Sequence, residues 1–526
     1  MSKTIWMKTL LSPSAYPHPV DKVRQIQTHI SWVFLAGDYV YKIKKPVDFG
    51  FLDFTTLEKR RFYCNEELRL NKRLCPEIYL DVIAINEIDG KITINGDAEP
   101  IEWALVMKRM PDEGLMPKII EQESLGTGHM DKISSKLVPF YMSAEGGPVV
   151  KEYGKIDTIK ENTEENFTQT QAFINKLIDK SVYESICDYT RTFIKKNREF
   201  LESRILDGWI KEGHGDLYSA NICFDFPNDN VHIFDCIEFN ERFRCGDIAA
   251  DVAFLAMDLD FHGLPQLSQR FINNFSREIK DPGLIKLVDF YKCYRAYVRG
   301  KIGCFTWASE GIDKKTKKTA ESQARQYFKL AHRYTGDLPS PDLFVFYGLS
   351  GTGKSTLAQG WAKKCEIPIY NSDVVRKELV MGVSSLESHK EAFGKGIYSP
   401  ATTEKTYKKM ARLAGRHLMM GESVALDATY TSSNERRRVI DLAGTADAKI
   451  HFIHCTCPDE VIKKRFKARA VDPEKVSDGR WEIFLEQKKN FNPKEGLNDA
   501  PYYEIPTIKS LDSLMEGLHK LLQTDK

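Results

Sequence analysis

Gly348-Leu-Ser-Gly-Thr-Gly353-Lys354-Ser355, GLSGTGKS, follows the apolar run LFVFY at 343–347 and opens a helix-compatible stretch from Lys354. It satisfies G-x-x-x-x-G-K-[ST] in full, between a strand and a helix, which is the context that gives the pattern meaning. The glycines let backbone N–H groups close around phosphate oxygens, and the helix N-terminus adds partial positive charge. Lys354 is placed to reach β- and γ-phosphates, and Ser355 to ligate magnesium. Gly348, Ser350, Gly351, Thr352, Gly353, Lys354, Ser355 and Thr356 are assigned on this basis to nucleotide binding.

Beyond this loop, apolar runs alternate with helical stretches: IPIYNSD at 367–373, a long helix near 402–420, SVALDAT at 423–429, then KIHFIHCTC at 449–457. Such alternation predicts a parallel sheet wrapped by helices. Motor ATPases and kinases share the loop, so the next acids decide between them. Asp373 ends the second strand, and Arg376, three residues into a helix, shares its side. Asp373 is a candidate base for an acceptor hydroxyl, and Arg376 a candidate ligand for an acceptor's phosphate or other anion. Asp427 ends the third strand, near the expected magnesium shell. In KKRFKARA, Arg465 and Arg469 stand four residues apart, suited to closing over a triphosphate and neutralising transition-state charge.

Upstream, GDLPSP at 336–341 combines turn formers with two prolines and predicts a break in the helical pattern. The chain is divided there: a linker at 336–341 and an α/β domain at 342–526. Before it, 111–335 reads as mostly helical, interrupted by a loop and strand pair near His214–Asp235. Residues 1–110 read as strand-rich: two strands around the Gly-Asp turn of WVFLAGDYVYKIKKP, a polar helix from Leu57 to Leu74, and strands near 78–85, 91–94 and 103–107.

The interruption has its own chemistry. HGDLYSAN at 214–221 leads to VHIFD, ending at Asp235. Phosphoryl transfer needs a positioned hydroxyl and magnesium held against the phosphates. Asp216 is suited to orienting or deprotonating the hydroxyl, Asn221 offers magnesium a neutral oxygen, and Asp235 offers a carboxylate.

HGDLYSANICF, IFDCIEF and Asp247-Ile-Ala-Ala-Asp251 together resemble the aminoglycoside phosphotransferase family, relatives of protein kinases, over roughly 25–335. The resemblance implies a two-lobed α+β fold with Asp216 as catalytic base, Asn221 and Asp235 as magnesium ligands, His214 as a structural member of the loop, and Asp247 and Asp251 steadying it. It also implies a strand lysine held by a helix glutamate. Lys42 is chosen over Lys44, which shares its face of the strand, and Glu67 over Glu66. WALVMKRM resembles the connection between lobes, where backbone from Met107 to Arg109 would meet adenine. No glycine-rich loop precedes Lys42, a departure from the protein-kinase pattern. The second machinery resembles the small P-loop kinases that include polynucleotide kinase, gluconate kinase and zeta-toxin relatives. The order of the two resembles a bacterial fusion of phosphotransferase and P-loop kinase.

Bulk properties agree with an ordinary globular chain. Its 526 residues exceed a single core, and 42% hydrophobic with 29% charged content requires no disordered class. The net charge of +2 argues neither for nor against a polyanionic partner, so any positive field must be local. The 11 cysteines show no metal-type pairing, which predicts reduced thiols, and no run approaches eighteen apolar residues, which predicts a cytoplasmic protein without a spanning helix. Both residue sets predict a magnesium-dependent enzyme using ATP or GTP at two sites, acting on hydroxyls of small-molecule or nucleotide-like acceptors. The rival classes are a kinase of nucleic-acid ends, with the run DKKTKK at 313–318, Arg325 and Arg333 holding the strand, and a chain whose N-terminal domain only binds or regulates.

Overall fold

The computed structural model describes residues 4–88, 91–381, 396–469, 481–489 and 491–524. The chain forms two compact units. The first comprises 1–171, 188–255 and 270–295, and the second 172–187, 256–269 and 296–526.

In the first unit, alternation sorts one strand pair into an apolar face and a charged face. The strands are β1 (Val23–Gln27), β2 (Ser31–Ala36), β3 (Tyr39–Lys44), β4 (Tyr79–Ile88), β5 (Lys91–Ile94) and β6 (Pro100–Lys108). They form one antiparallel sheet in the order β1-β2-β3-β6-β4-β5. Trp32, Phe34, Tyr41 and Ile43 lie in one buried cluster, so Lys42 and Lys44 take the opposite face of β3. The helix Leu57–Lys72 starts at Thr56, whose side chain accepts the Lys59 N–H, and buries Glu67. β1 lies outside the sequence-based expectation: VRQIQ has two apolar residues, Val23 and Ile26, spaced three apart rather than alternating, and it joins the sheet as an edge strand beside β2.

The remainder of this unit is helical apart from two small antiparallel ladders. β7 (Ile210–Glu212) pairs with β10 (Cys245–Asp247), and β8 (Ile222–Asp225) with β9 (Asn230–Ile233). These carry His214–Asn221 and Asp235 at their ends.

The second unit holds a parallel five-stranded sheet of β11 (Asp342–Tyr347), β12 (Ile369–Asn371), β13 (Val424–Asp427), β14 (Lys449–Thr456) and β15 (Tyr502–Pro506), ordered β12-β13-β11-β14-β15. Phe344, Phe346, Trp361, Ala425, Ile453 and Leu518 share its core. β15 escapes the sequence pattern because YYEIP is short and ends in proline.

The helix Lys314–Arg333 ends before Gly336, which has φ +78°. Periodicity assigns the segments before 336 to the helical lobe, yet some of them belong to the second unit. Side chains make the difference. Arg333 donates to the carbonyls of Ala446 and Asp447, and Lys329 pairs with Glu422 at 2.6 Å. A separate domain at 342–526 behind a 336–341 linker therefore remains our proposal. All 11 cysteines are free thiols, and among the described residues no helix is long and apolar enough to cross a membrane.

Candidate active sites

In the first unit β3 delivers two lysines to one carboxylate. Lys42 Nζ lies 2.8 Å from Glu67 Oε1 and 2.6 Å from Asp235 Oδ1, while Lys44 Nζ lies 2.7 Å from Glu67 Oε2 and also pairs with Glu238. Lys44 is fully buried, whereas the Asp235 side chain is 45% exposed. Burial pushes the Lys42 ammonium toward neutrality, but Asp235 and Glu67 overcome it and raise its pKa well above the lysine value. Burial likewise pushes the Glu67 carboxyl up, and the two lysines bring it below the usual range. Both groups are thus charged at neutral pH. Glu66 instead pairs with Arg69 on the exposed side of the helix.

The loop carrying Asp216 is fixed from several directions. Asp251 accepts the N–H groups of His214 (2.6 Å) and Gly215 (2.9 Å), and Arg295 donates to the Gly215 carbonyl at 3.0 Å. Asp247 takes a different post: it binds buried Arg204 through two 2.7 Å bonds and accepts the Ala249 N–H. His214 Nδ1 accepts the Asp216 N–H at 3.2 Å, so Nε2 carries the hydrogen and donates to the Phe234 carbonyl at 3.0 Å. One neutral imidazole therefore ties the backbone of Asp216 to the residue before Asp235. The Asn221 amide donates to the Asp216 carboxylate at 3.0 Å, which turns its own oxygen away from that contact.

The stretch from Met107 to Arg109 offers less backbone than expected. The N–H of Lys108 goes to Ile78 and that of Arg109 to Asp38, both at 2.8 Å, while Met107 lies in β6 between β3 and β4. Any contact with a base would fall to carbonyl oxygens.

In the second unit the helix Lys354–Cys365 begins behind Gly353, whose φ is +89°. At Gly348, φ +139°, an added Cβ would stand 2.5 Å from the Cys455 carbonyl oxygen, so the loop needs glycine there for space and conformation alike. Lys354 Nζ lies 3.5 Å from the Leu349 carbonyl. Ser355 hydrogen-bonds fully buried Asp427, whose Oδ2 also accepts from Asn371 Nδ2 at 2.6 Å and whose Oδ1 has no protein partner. Burial raises the Asp427 pKa against Lys354 and those hydrogen bonds. A buried carboxylate oxygen beside a serine hydroxyl and a lysine is chemically suited to a hard cation and its phosphates.

Several loop members serve the loop itself. The Thr352 hydroxyl is buried and donates to the Leu349 carbonyl at 2.9 Å, while Thr356 is exposed on the first helical turn. The Ser350 N–H, one of the amides assigned to phosphate, is bonded by the Gln487 side-chain oxygen at 3.1 Å. Gly351 keeps its expected place in the turn, with φ +82°.

Two of the arginines assigned to anions make contacts within the unit. Arg376 is buried, bonds Asp373 at 2.8 Å and lies over the Tyr398 ring. Its Nη1 is tied to the neighbouring acid, while its buried Nε has no hydrogen-bond partner. Arg465 donates to the Gly351 carbonyl (3.3 Å) and the Thr507 carbonyl (2.6 Å), making it a clamp on the loop backbone. The side chain of Arg469 lies outside the described residues. Asn371, which sequence reasoning passed over, caps the helix Ser372–Met381 by accepting the Asp373 N–H at 2.9 Å. Asn at a strand end before an acid-bearing helix is the signal that would have found it.

The cationic run is exposed at the start of the helix Lys314–Arg333, which also carries the two arginines. Arg325 pairs with Glu321 and Arg333 with Asp447 and nearby carbonyls. Among the described residues no cluster of three or more His, Cys, Asp or Glu forms a metal site unaided.

Comparison with known proteins places the chain. It is 30% identical over 444 residues to the protein named Uncharacterized protein Rv2004c of Mycobacterium tuberculosis, covering 84% of this chain and 86% of that one. The same identity and coverage hold for Uncharacterized protein Mb2027c of Mycobacterium bovis. The chain belongs to this family. A family model described as AAA domain matches residues 343–494. Among solved structures, a choline/ethanolamine kinase family protein from Mesorhizobium loti is similar at 10% identity and TM-score 0.37, covering 63% of this chain and 98% of that one. A gluconokinase from Sinorhizobium meliloti is similar at 16% identity and TM-score 0.25, covering 35% of this chain and 93% of that one. The chain joins an α+β unit built on a six-stranded antiparallel sheet to an α/β unit whose parallel sheet carries the glycine loop, and that loop lies within the span the AAA domain model matches.

Proposed function

We propose that the chain is a two-site, magnesium-dependent phosphotransferase that moves the γ-phosphoryl group of ATP, or GTP, to hydroxyls of small-molecule or nucleotide-like acceptors. The observation that carries this is duplication: each unit has its own lysine beside a carboxylate at a strand end, Lys42 with Asp235 and Lys354 with Asp427. In the first unit Lys42, positioned by Glu67, meets the phosphates, Asp216 holds the acceptor hydroxyl and takes its proton, and Asn221 and Asp235 hold magnesium. In the second, the glycine loop and Lys354 hold the phosphates, Ser355 and Asp427 hold magnesium, and Asp373, oriented by Arg376, receives the proton. Magnesium supplies neutralisation of charge across the phosphates in both.

Single substitutions separate the sites. Asp216→Ala and Lys354→Ala are each expected to abolish one transfer, by about a hundredfold to a thousandfold, and leave the other. A screen of labelled ATP against metabolite extract, resolved by mass spectrometry, reads both. If Asp216→Ala leaves every transfer intact while Lys354→Ala removes all of them, the first unit only binds or regulates.

A further inference from the structure

Next to the P-loop, the second unit buries polar atoms that it does not pair. Arg376 Nε, Tyr430 Oη, Glu435 Oε2 and Arg438 Nη1 are each buried and without a hydrogen-bond partner. They come from three places: the helix Ser372–Met381, the loop after β13 and the helix Ser433–Thr445. They are nonetheless neighbours, since Glu435 lies within electrostatic reach of Arg438, Arg436 and Arg376, and Tyr430 within reach of Glu435, Arg438 and Asp427. A buried donor or acceptor without a partner is destabilising. Four in one place, beside the proposed base Asp373 and the proposed metal ligand Asp427, leave hydrogen-bonding capacity that the described residues do not use.

The surrounding residues fix this arrangement. Tyr430 has φ +46°, a left-handed conformation unfavourable for a bulky side chain. It is held there from both ends: its N–H goes to the Tyr407 hydroxyl at 3.2 Å, and its carbonyl accepts from Arg436. Arg436 is itself fully buried and anchored on the carbonyls of Asn492 (2.9 Å) and Glu495 (2.7 Å). The strain thus serves to aim the Tyr430 ring. Burial pushes the Glu435 carboxyl up to about 7, even though the Ser432 amide and three arginines favour its charge. A carboxyl so placed is not closed off in an ion pair.

We propose that Arg438, Glu435 and Tyr430, together with the free Nε of Arg376, form the acceptor subsite of the second unit, and that the acceptor is a polyhydroxylated anion. Two guanidinium N–H groups supply donors for an oxyanion, carboxylate or phosphate. The Glu435 oxygen accepts from a hydroxyl, and the phenol donates or accepts. A second hydroxyl then lies toward Asp373 for transfer. This rests on the phosphotransferase reading of the second unit and adds the chemical class of its substrate.

Three six-carbon probes that differ at one end test it on the full chain: D-glucitol, D-gluconate and D-glucitol 6-phosphate. Calorimetry with magnesium and a non-hydrolysable ATP analogue is expected to show at least one of the two anions binding about tenfold or more tighter than glucitol, and the preferred anion identifies carboxylate or phosphate. Arg438→Gln should remove that preference while leaving glucitol within about twofold, and Arg438→Lys should restore part of it. Should Arg438→Gln lose binding of the ATP analogue as well, Glu435→Gln takes its place, and it is expected to weaken all three probes about tenfold while preserving the order. Equal binding of the three probes, no binding of any, or an unchanged preference in Arg438→Gln would overturn the subsite. Transfer of label from ATP separates the two levels. Arg438-dependent binding without transfer upholds the subsite and sinks the phosphotransferase reading, and transfer to an anion without Arg438 dependence does the reverse.

Discussion

Asn371 joins Asp373 to Asp427. Its Nδ2 donates to Asp427 Oδ2 at 2.6 Å, and its Oδ1 accepts the Asp373 N–H at 2.9 Å and the Val374 N–H at 3.2 Å. One amide thus caps the helix carrying the proposed base and fixes the carboxylate proposed for magnesium, so their spacing is set by a single side chain. Asn371→Ala should remove a cap, at a cost of about 1 kcal/mol in stability. It should also lower transfer by the second unit more than the stability loss explains. Asn371→Asp, which keeps the cap but places two carboxylates together, should restore stability better than transfer. Thermal melting and turnover on the same samples decide it, and a variant that loses stability alone would leave Asn371 as a cap and nothing more.

The two lysines of β3 should behave differently. Lys42 pairs with the half-exposed Asp235 near the phosphate position, whereas Lys44 lies fully buried between Glu67 and Glu238. Lys44→Met leaves buried Glu238 without its cation and Glu67 with Lys42 alone, and breaking a buried pair costs about 3–5 kcal/mol. Lys42→Met should cost little stability and weaken nucleotide binding in the first unit. Denaturant unfolding and nucleotide titration of both variants check the pairing, and equal destabilisation by the two would contradict it.

These residues show what the sequence makes legible and where it stops. The glycine loop is local, so Gly348 to Ser355 can be read directly, and so can the period-two alternation that puts Lys42 and Lys44 on one face. Which lysine meets the nucleotide depends on Glu238 and Asp235, nearly two hundred residues away, and no local pattern carries that. Arg465 shows the same limit. Helical spacing makes it a lid candidate, but its partners Gly351 and Thr507 exist only once β14 and β15 are aligned. Asn371 was within reach of sequence rules for caps, yet its bond to Asp427 required the parallel pairing of β12 with β13.

A pH dependence follows from His214. It is fully buried, and burial pushes its pKa down to about 4 while Asp251 and Asp235 pull the other way. The folded chain keeps it neutral, whereas the unfolded chain takes a proton below about 6.5. Its contribution to stability is therefore intact above about 6.5, falls as pH drops through that value, and has changed by up to about 3 kcal/mol near pH 4. Protonation would also take away the Nδ1 acceptor for the Asp216 N–H. His214→Asn cannot titrate, so unfolding free energy should fall with acid less steeply than in the natural chain, by about 1.4 kcal/mol per pH unit between pH 6 and 4.5. Parallel slopes for the two proteins would show that His214 is already charged when folded.

Gln487 makes a testable claim on the P-loop. Its side-chain oxygen accepts the Ser350 N–H at 3.1 Å, and that amide belongs to the set assigned to phosphate. A phosphate oxygen that takes this N–H must displace the amide oxygen, so nucleotide binding pays for one hydrogen bond before it gains one. A net hydrogen bond is worth about 0.5–1.5 kcal/mol, which converts to roughly twofold to tenfold in affinity. Gln487→Ala should accordingly tighten ATP binding to the second unit within that range, with Lys354→Ala still abolishing it. Gln487→Glu should weaken binding instead, because a carboxylate holds the amide more strongly and repels the phosphates. Calorimetric titration of the three chains with an ATP analogue measures the order. Weaker binding in Gln487→Ala would mean that the side chain helps hold the nucleotide, and the competition inferred from the Ser350 contact would be wrong.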